Sequence, residues 1–280
     1  MTQDHRKSRR VVVARRSLAL GTLAAAVAGG SAGHAAVTAP EMAKSPDWVQ
    51  LAAGEGEAAQ GEGEGEGEGG GAALDSEAGL IRDLGFMQGH LRAGLALYQS
   101  GDLKAAKTHM GHPIEEKYDA VADELKDRGL ARLKDELAAL AQAAEDEKPI
   151  GDIAPLYERV AQTIDAARAD VPVAKRLVGL IALTRVAGDE YTVATEGGKL
   201  SNLHEYQDSW GFLRVVDARL AKMAGVANGA TAEVIGKMRS ALAATDVVYG
   251  DIQGQGDFEM DPGVIYGAAA RMDLALAGMK

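Results

Sequence analysis

The chain has 280 residues, 46% of them apolar and 25% charged, with a formal net charge of −11 and no cysteine. The lack of a thiol excludes disulfides, thiolate catalysis, iron–sulfur clusters and Cys-type zinc sites. An acidic chain also argues against nucleic acid, which is held by Lys and Arg on its phosphates.

Aromatics make up only 4%, too few for a β-sandwich, which draws on β-branched and aromatic residues. A helical protein built on Ala and Leu is therefore expected. Residues 1–16 carry Arg6, Lys7, Arg9, Arg10, Arg15 and Arg16, and an apolar run from Leu18 to Ala28 leads into small residues through Ala36. This is the plan of an export signal. Arg15-Arg16-Ser17-Leu18-Ala19-Leu20 resembles the twin-arginine motif, a receptor-read address; an ordinary Arg-rich secretory signal is the alternative. The twin-arginine resemblance implies export of a protein already folded, often with a cofactor loaded.

Residues 1–35 are accordingly read as the signal, with cleavage near Ala35 or Ala36. The apolar run is shorter than the ~20 residues of a spanning helix, so no stable membrane span is expected. The implied location is the bacterial periplasm or exterior. Removing the segment's six basic side chains and one acidic one from totals of 30 and 41 leaves a formal charge of −16. Cations, basic surfaces and neutral ligands suit such a chain better than anions.

From Gly54 to Gly71 the sequence is dominated by alternating Gly and Glu. High backbone entropy and like charge keep such a stretch from packing, so residues 36–73 are read as a flexible segment containing a self-extending linker. Matches to nucleotide-binding glycine spacing within it lack the strand and helix that such a fingerprint needs.

Residues 74–280 read as one helical domain. Leu80, Leu84, Met87, Leu91, Leu95 and Tyr98 recur at spacings of three and four, one apolar helix face. Ser100-Gly101-Asp102 ends that helix and caps a second, expected to stop near Gly111. His112 is then expected as an N-cap, with Pro113 in the first helical position and Glu115 and Glu116 in the first turn. Ile114, Tyr118, Val121 and Leu125 form the next stripe, closed by Gly129. Further helices are predicted at about 130–146, 152–169, 173–195, 200–224, 230–248 and 262–279. Strand signals are absent, and an all-α, up-and-down bundle of about seven or eight helices follows. Core packing with the hydroxyl at a rim explains the tyrosines.

Three of the four histidines beyond residue 35 fall close together: His90, His109 and His112. With the turn at residues 100–101, an antiparallel hairpin brings all three to similar heights at ~1.5 Å rise per residue. Imidazoles hold zinc, copper, iron and nickel. Met110 offers a thioether for copper(I), and Glu116, four residues after His112, shares its helix face. The expected break at Gly111 leaves the directions of His109 and His112 open. The alternative has His112 as a cap, His90 as a packed ring and His109 in solvent.

His204 and Asp208 form a second candidate, four apart on one face. They suit a metal pair or an oriented acid–base pair, or else a surface pair worth about 0.3–0.5 kcal/mol. No His-Glu-x-x-His, Ser-x-x-Lys or Walker loop occurs beyond residue 35, so an enzyme is not the favoured reading. The sequence points to an exported helical protein that binds a transition-metal ion (iron, copper or zinc) for storage, delivery or sensing. Its candidate ligands are His90, His109 and His112, with Glu116, Met110 and His204 in support, and its partners a metal ion or an envelope protein. The competing reading is a non-catalytic scaffold tethered by the Gly-Glu linker, marked by an exposed apolar groove beside scattered histidines.

The stretch Leu97-Tyr98-Gln99-Ser100-Gly101-Asp102 through Ala105-Ala106, with Tyr118 and Glu124 downstream, resembles helical extracytoplasmic domains associated with bacterial iron uptake, imelysin-like proteins among them. The resemblance implies an exported, cysteine-poor helical bundle connected with iron. The family's Gly-x-His-x-x-Glu motif is not present: Asn202-Leu203-His204-Glu205-Tyr206-Gln207 has Asn in place of Gly and Gln in place of Glu. An Arg-Glu-x-x-Glu iron motif is absent too. The same stretch is similar to a tetratricopeptide hairpin, but no repeat of about 34 residues follows.

Overall fold

The computed structural model of the chain describes residues 74–278. The predicted export signal (1–35) and Gly-Glu segment (36–73) lie outside the described residues.

The first helix, α1 (Ser76–Ser100), starts where the Asp75 side chain accepts from the Ala78 N–H at 3.0 Å. It stops at Gly101, whose φ of 90° is a left-handed conformation that favours glycine. Asp102 then caps α2 (Leu103–His112) by accepting from the Ala105 N–H. After a π-turn at Pro113–Lys117 comes α3 (Tyr118–Asp127), followed by α4 (Leu133–Glu145), α5 (Ile150–Ala167) and α6 (Val173–Ala194). The last three are α7 (Leu203–Ala224), α8 (Gly229–Ala243), which tightens into a 3₁₀ turn at Ala244–Val248, and α9 (Gly263–Ala277). No strand occurs among the described residues, and the all-α bundle expected from the sequence is what forms.

One boundary differs from expectation. Rather than breaking at Gly111, α2 runs through His112, and Pro113 enters at helical angles of φ −54° and ψ −33°. The π-turn, closed by the Tyr118 N–H on the Pro113 carbonyl, carries the chain on into α3. A proline costs a helix one N–H and crowds the preceding turn; one wider turn accommodates it without a stop. His112 is therefore a helical residue and not a cap.

At the centre, α1, α6 and α7 pack against one another, with α2 beside α1, α4 and α5 outside them, and α8 and α9 along α6 and α7. Helix α1 is buried on nearly every side, as a central helix must be. It meets α7 where Gly89 faces Gly211. A Cβ at Gly211 would drive into the Gly89 carbonyl, and one at Gly89 would stand 3.0 Å from the Phe212 amide nitrogen. The Gly211 collision is with backbone, which cannot swing away, and a Cβ at Gly89 would first strike the buried Phe212 ring. Gly94 plays the same part toward α2, where a Cβ would lie 3.2 Å from the Ala106 carbonyl oxygen.

Two glycine-to-alanine changes should therefore have opposite signs. Gly211→Ala forces α1 and α7 apart and should cost about 1–3 kcal/mol in chemical denaturation. Gly236→Ala, within α8 and with nothing in Cβ range, should stabilise by roughly 0.5–1 kcal/mol. Equal effects from the two would contradict the close crossing.

Candidate metal centre

The glycine-lined crossing sets the site. His90 follows Gly89 on α1, and Asp208 stands one turn before Gly211 on α7; their side chains meet at 2.6 Å between Nδ1 and Oδ1. Helix α2, drawn against α1 at Gly94, brings His109 Nδ1 to 2.9 Å from the same oxygen. The other Asp208 oxygen lies 3.4 Å from His204 Nδ1. Because α2 does not break, His109 and His112 are three apart on one continuous helix and face the same way. Beyond His112, the π-turn presents Glu116, whose carboxylate oxygens lie 3.0 Å from His112 Nδ1 and 3.5 Å from His90 Nε2.

All four histidines of the described residues thus meet in one chamber. His109 and His204 stack with ring centroids 4.4 Å apart, and His112 stands edge-on to His204 at 4.8 Å and to His90 at 5.2 Å. Phe86 and Phe212 close the inner wall against His90. His90, His109 and Asp208 are shut off from water, being 1%, 0% and 3% exposed. His112, Glu116 and His204 form the side that reaches solvent, at 15%, 19% and 21%.

The contacts are short but are not good hydrogen bonds. Both nitrogens of His90, Nδ1 of His109 and His112, and Oδ1 of Asp208 are buried and lack an aligned hydrogen-bond partner. Leaving buried polar atoms unsatisfied costs about 1–3 kcal/mol each, and a cation placed among them would satisfy several at once. Two triads have donors close enough to hold an ion: His90, His112 and Asp208, and His109, His204 and Asp208, each with all its donor atoms within 4.8 Å of one another. Asp208 belongs to both.

Gln207 supplies the supporting contact. Its Nε2 donates to the Ile252 carbonyl at 3.2 Å, so its Oε1 is left as an acceptor for His109 Nε2–H at 2.9 Å. That bond fixes the ring so that Nδ1 is the nitrogen turned to Asp208, the outer-shell arrangement that orients a metal-ligating imidazole. The same loop is fastened by Tyr206, whose hydroxyl accepts from the Gly250 N–H and donates to the Asp251 carbonyl, both at 2.9 Å.

Of the sequence candidates, His90, His109, His112, His204 and Glu116 are brought together, with Asp208 at their centre and not in a surface pair. Met110 is fully buried and packs where a Cβ on Gly94 would touch its Cγ. One residue on a helix is a rotation of about 100°, which turns Met110 away from the face of its neighbour His109. Gln207 carried no spacing signal of its own; its role depends on a loop 45 residues away. The histidines are gathered in one chamber and not scattered beside an apolar groove, the arrangement that would favour the scaffold reading.

Electrostatics follow from burial. Desolvation opposes charge on Asp208, but the imidazoles of His90 and His109 outweigh it and hold the carboxyl well below the usual range. Burial also opposes charge on His109, where the Asp208 carboxylate and Gln207 prevail and raise the ring above 6.5. His112 lacks such support: burial and then the charge on His90 push it down to about 3. At neutral pH the chamber therefore holds an ionised Asp208 and a neutral His112, both ready to act as ligands.

No family model, curated protein or solved structure matches the chain. Among the described residues, no helix is long and apolar enough to cross a membrane.

These shifts predict the stability of the metal-free protein. His112 and Asp208, both lowered, contribute stability above their unfolded values that is lost as pH falls; His109, raised, contributes stability lost as pH climbs above 6.5. Urea midpoints measured in a chelator should be highest near pH 6.5 and fall on both sides. His112→Gln should flatten the decline between pH 6.5 and about 3, leaving the part due to Asp208. An unchanged acidic limb would show that His112 is not buried in its neutral form.

Proposed function

We propose that this protein binds transition-metal ions in the His/Asp chamber, with Asp208 bridging two ligand triads, and that it holds or carries the metal. The single observation behind the reading is a buried carboxylate shared by imidazoles whose nitrogens approach it without hydrogen-bond alignment. An imidazole–carboxylate donor set suits zinc, iron(II) and copper(II). The exposed edge formed by His112, Glu116 and His204 gives an ion its way in and out, in keeping with storage, delivery or sensing. Export to a periplasm, carried by Arg15-Arg16 and the apolar run after it, belongs to the same proposal, as does the connection with iron that the imelysin-like resemblance implies.

The chain's own residues would act as follows. Asp208 and the two triads supply the donors. His109 would bind through Nδ1 once that nitrogen is free of its proton, and Gln207 would keep its ring oriented. Affinity should therefore fall as pH falls, about tenfold per pH unit for each proton displaced.

Plasma mass spectrometry on untagged protein, loaded with zinc or iron and desalted, should find two ions per chain. Asp208→Asn should hold neither. Gln207→Ala should keep both ions but bind them about 10–100-fold more weakly. A single ion retained by wild type would contradict the bridging role of Asp208. A wild type that takes up no zinc, iron or copper on titration would contradict metal binding altogether.

A further inference from the structure

A second unusual cluster lies away from the chamber. Gln88 comes two residues before His90, which puts it about 200° around α1, on the opposite face. Its single side-chain oxygen accepts from two guanidinium groups: Arg168 Nη1 at 3.2 Å, and Arg219 Nε and Nη2 at 3.2 and 2.6 Å. Two cations thus converge on a neutral amide oxygen, while both also pair with the Asp165 carboxylate.

Beside them is an open cavity of about 340 Å³ whose wall carries Arg168, Arg176, Arg219 and Lys222 against one carboxylate, Asp165. Asp165 is already engaged by Arg168 at 3.7 Å, and by Arg219 and Lys222. Arg176 is tied by its Nε and Nη2 to the Val171 and Ala169 carbonyls, each at 2.6 Å. The lining therefore keeps a local excess of three positive charges in a chain whose net charge is −11. The rest of the lining is apolar, including Leu180, Met223 and Val226.

Arg168 is the most telling member. It is 7% exposed, yet Nε and Nη2 have no hydrogen-bond partner among the described residues. Those two nitrogens form the side of a guanidinium that makes paired, parallel bonds to a carboxylate or phosphate. A buried arginine with a purely structural role spends its donors on its neighbours; this one keeps its fork unspent. Burial and the adjacent charge of Arg219 push it down to about 9, a strain that an anion would relieve.

We propose that this cavity is a binding site for a small organic anion, with a carboxylate or phosphate head engaged by Arg168 and the cationic wall, and a compact apolar body against Leu180, Met223 and Val226. The site is independent of the metal chamber: it shares no ligand residue with it and does not require that an ion be bound there.

The test is isothermal titration of the full chain with octanoate, octyl phosphate, inorganic phosphate and octanol. Octanoate or octyl phosphate should bind, and both inorganic phosphate and octanol should bind at least about tenfold more weakly, because one lacks the apolar body and the other the charge. Arg168→Gln should weaken the amphiphile by about tenfold or more. Val226→Glu, at a residue 85% exposed at the cavity's edge, leaves the core untouched and should weaken it by several-fold through repulsion, which keeps the test decisive if the arginine variant fails to fold. Inorganic phosphate binding as tightly as octyl phosphate would overturn the amphiphile assignment. Binding of neither amphiphile, or binding unchanged in both variants, would overturn the site.

Discussion

A carboxylate that is 3% exposed and stands 2.6 and 2.9 Å from two buried imidazoles is the constraint around which the bundle is arranged. Burying an ionised group is costly unless its charge is matched. Asp208 is matched by residues from two other stretches of chain, so α1, α2 and α7 cannot be positioned independently. The apolar packing of the bundle sets the helices side by side, and the polar chamber fixes their register.

The glycines make this proximity possible. Only residues without a Cβ allow the α1 and α7 backbones to approach as they do at Gly89 and Gly211, and Gly94 does the same for α2. All three stand within one turn or so of a chamber residue. What looks in the sequence like weak helix propensity is, in the fold, the means of bringing His90, His109 and Asp208 within ligand distance. The same architecture places the arginine-walled cavity on the other face of α1, beyond Gln88. One central helix thus stands between the His/Asp chamber on one side and the arginine-lined wall on the other.

The helical architecture was largely legible in the sequence because its signals are local: apolar residues at three- and four-residue spacing, Gly101 at a helix stop and Asp102 at the next N-cap. The histidines were legible as a group because a hairpin fixes heights along its two arms. What local reasoning could not supply was the outcome at Pro113, where a π-turn keeps the helix going, and so the shared direction of His109 and His112. His204 and Asp208 join the chamber through α7, more than 90 residues further on, and no periodicity within α7 discloses its partner. The fork of Arg168 was invisible, since an unspent donor is a property of what surrounds it.

X-ray absorption at the metal edge of zinc- or iron-loaded protein tests the central claim most directly, because it reads the donors themselves. The expected spectrum has a shell of nitrogen and oxygen at about 2.0–2.2 Å with the outer-shell scattering of several imidazoles, and that pattern is lost in Asp208→Asn. A sulfur shell at a longer distance, or a sphere of oxygen alone with no imidazole signature, would contradict it.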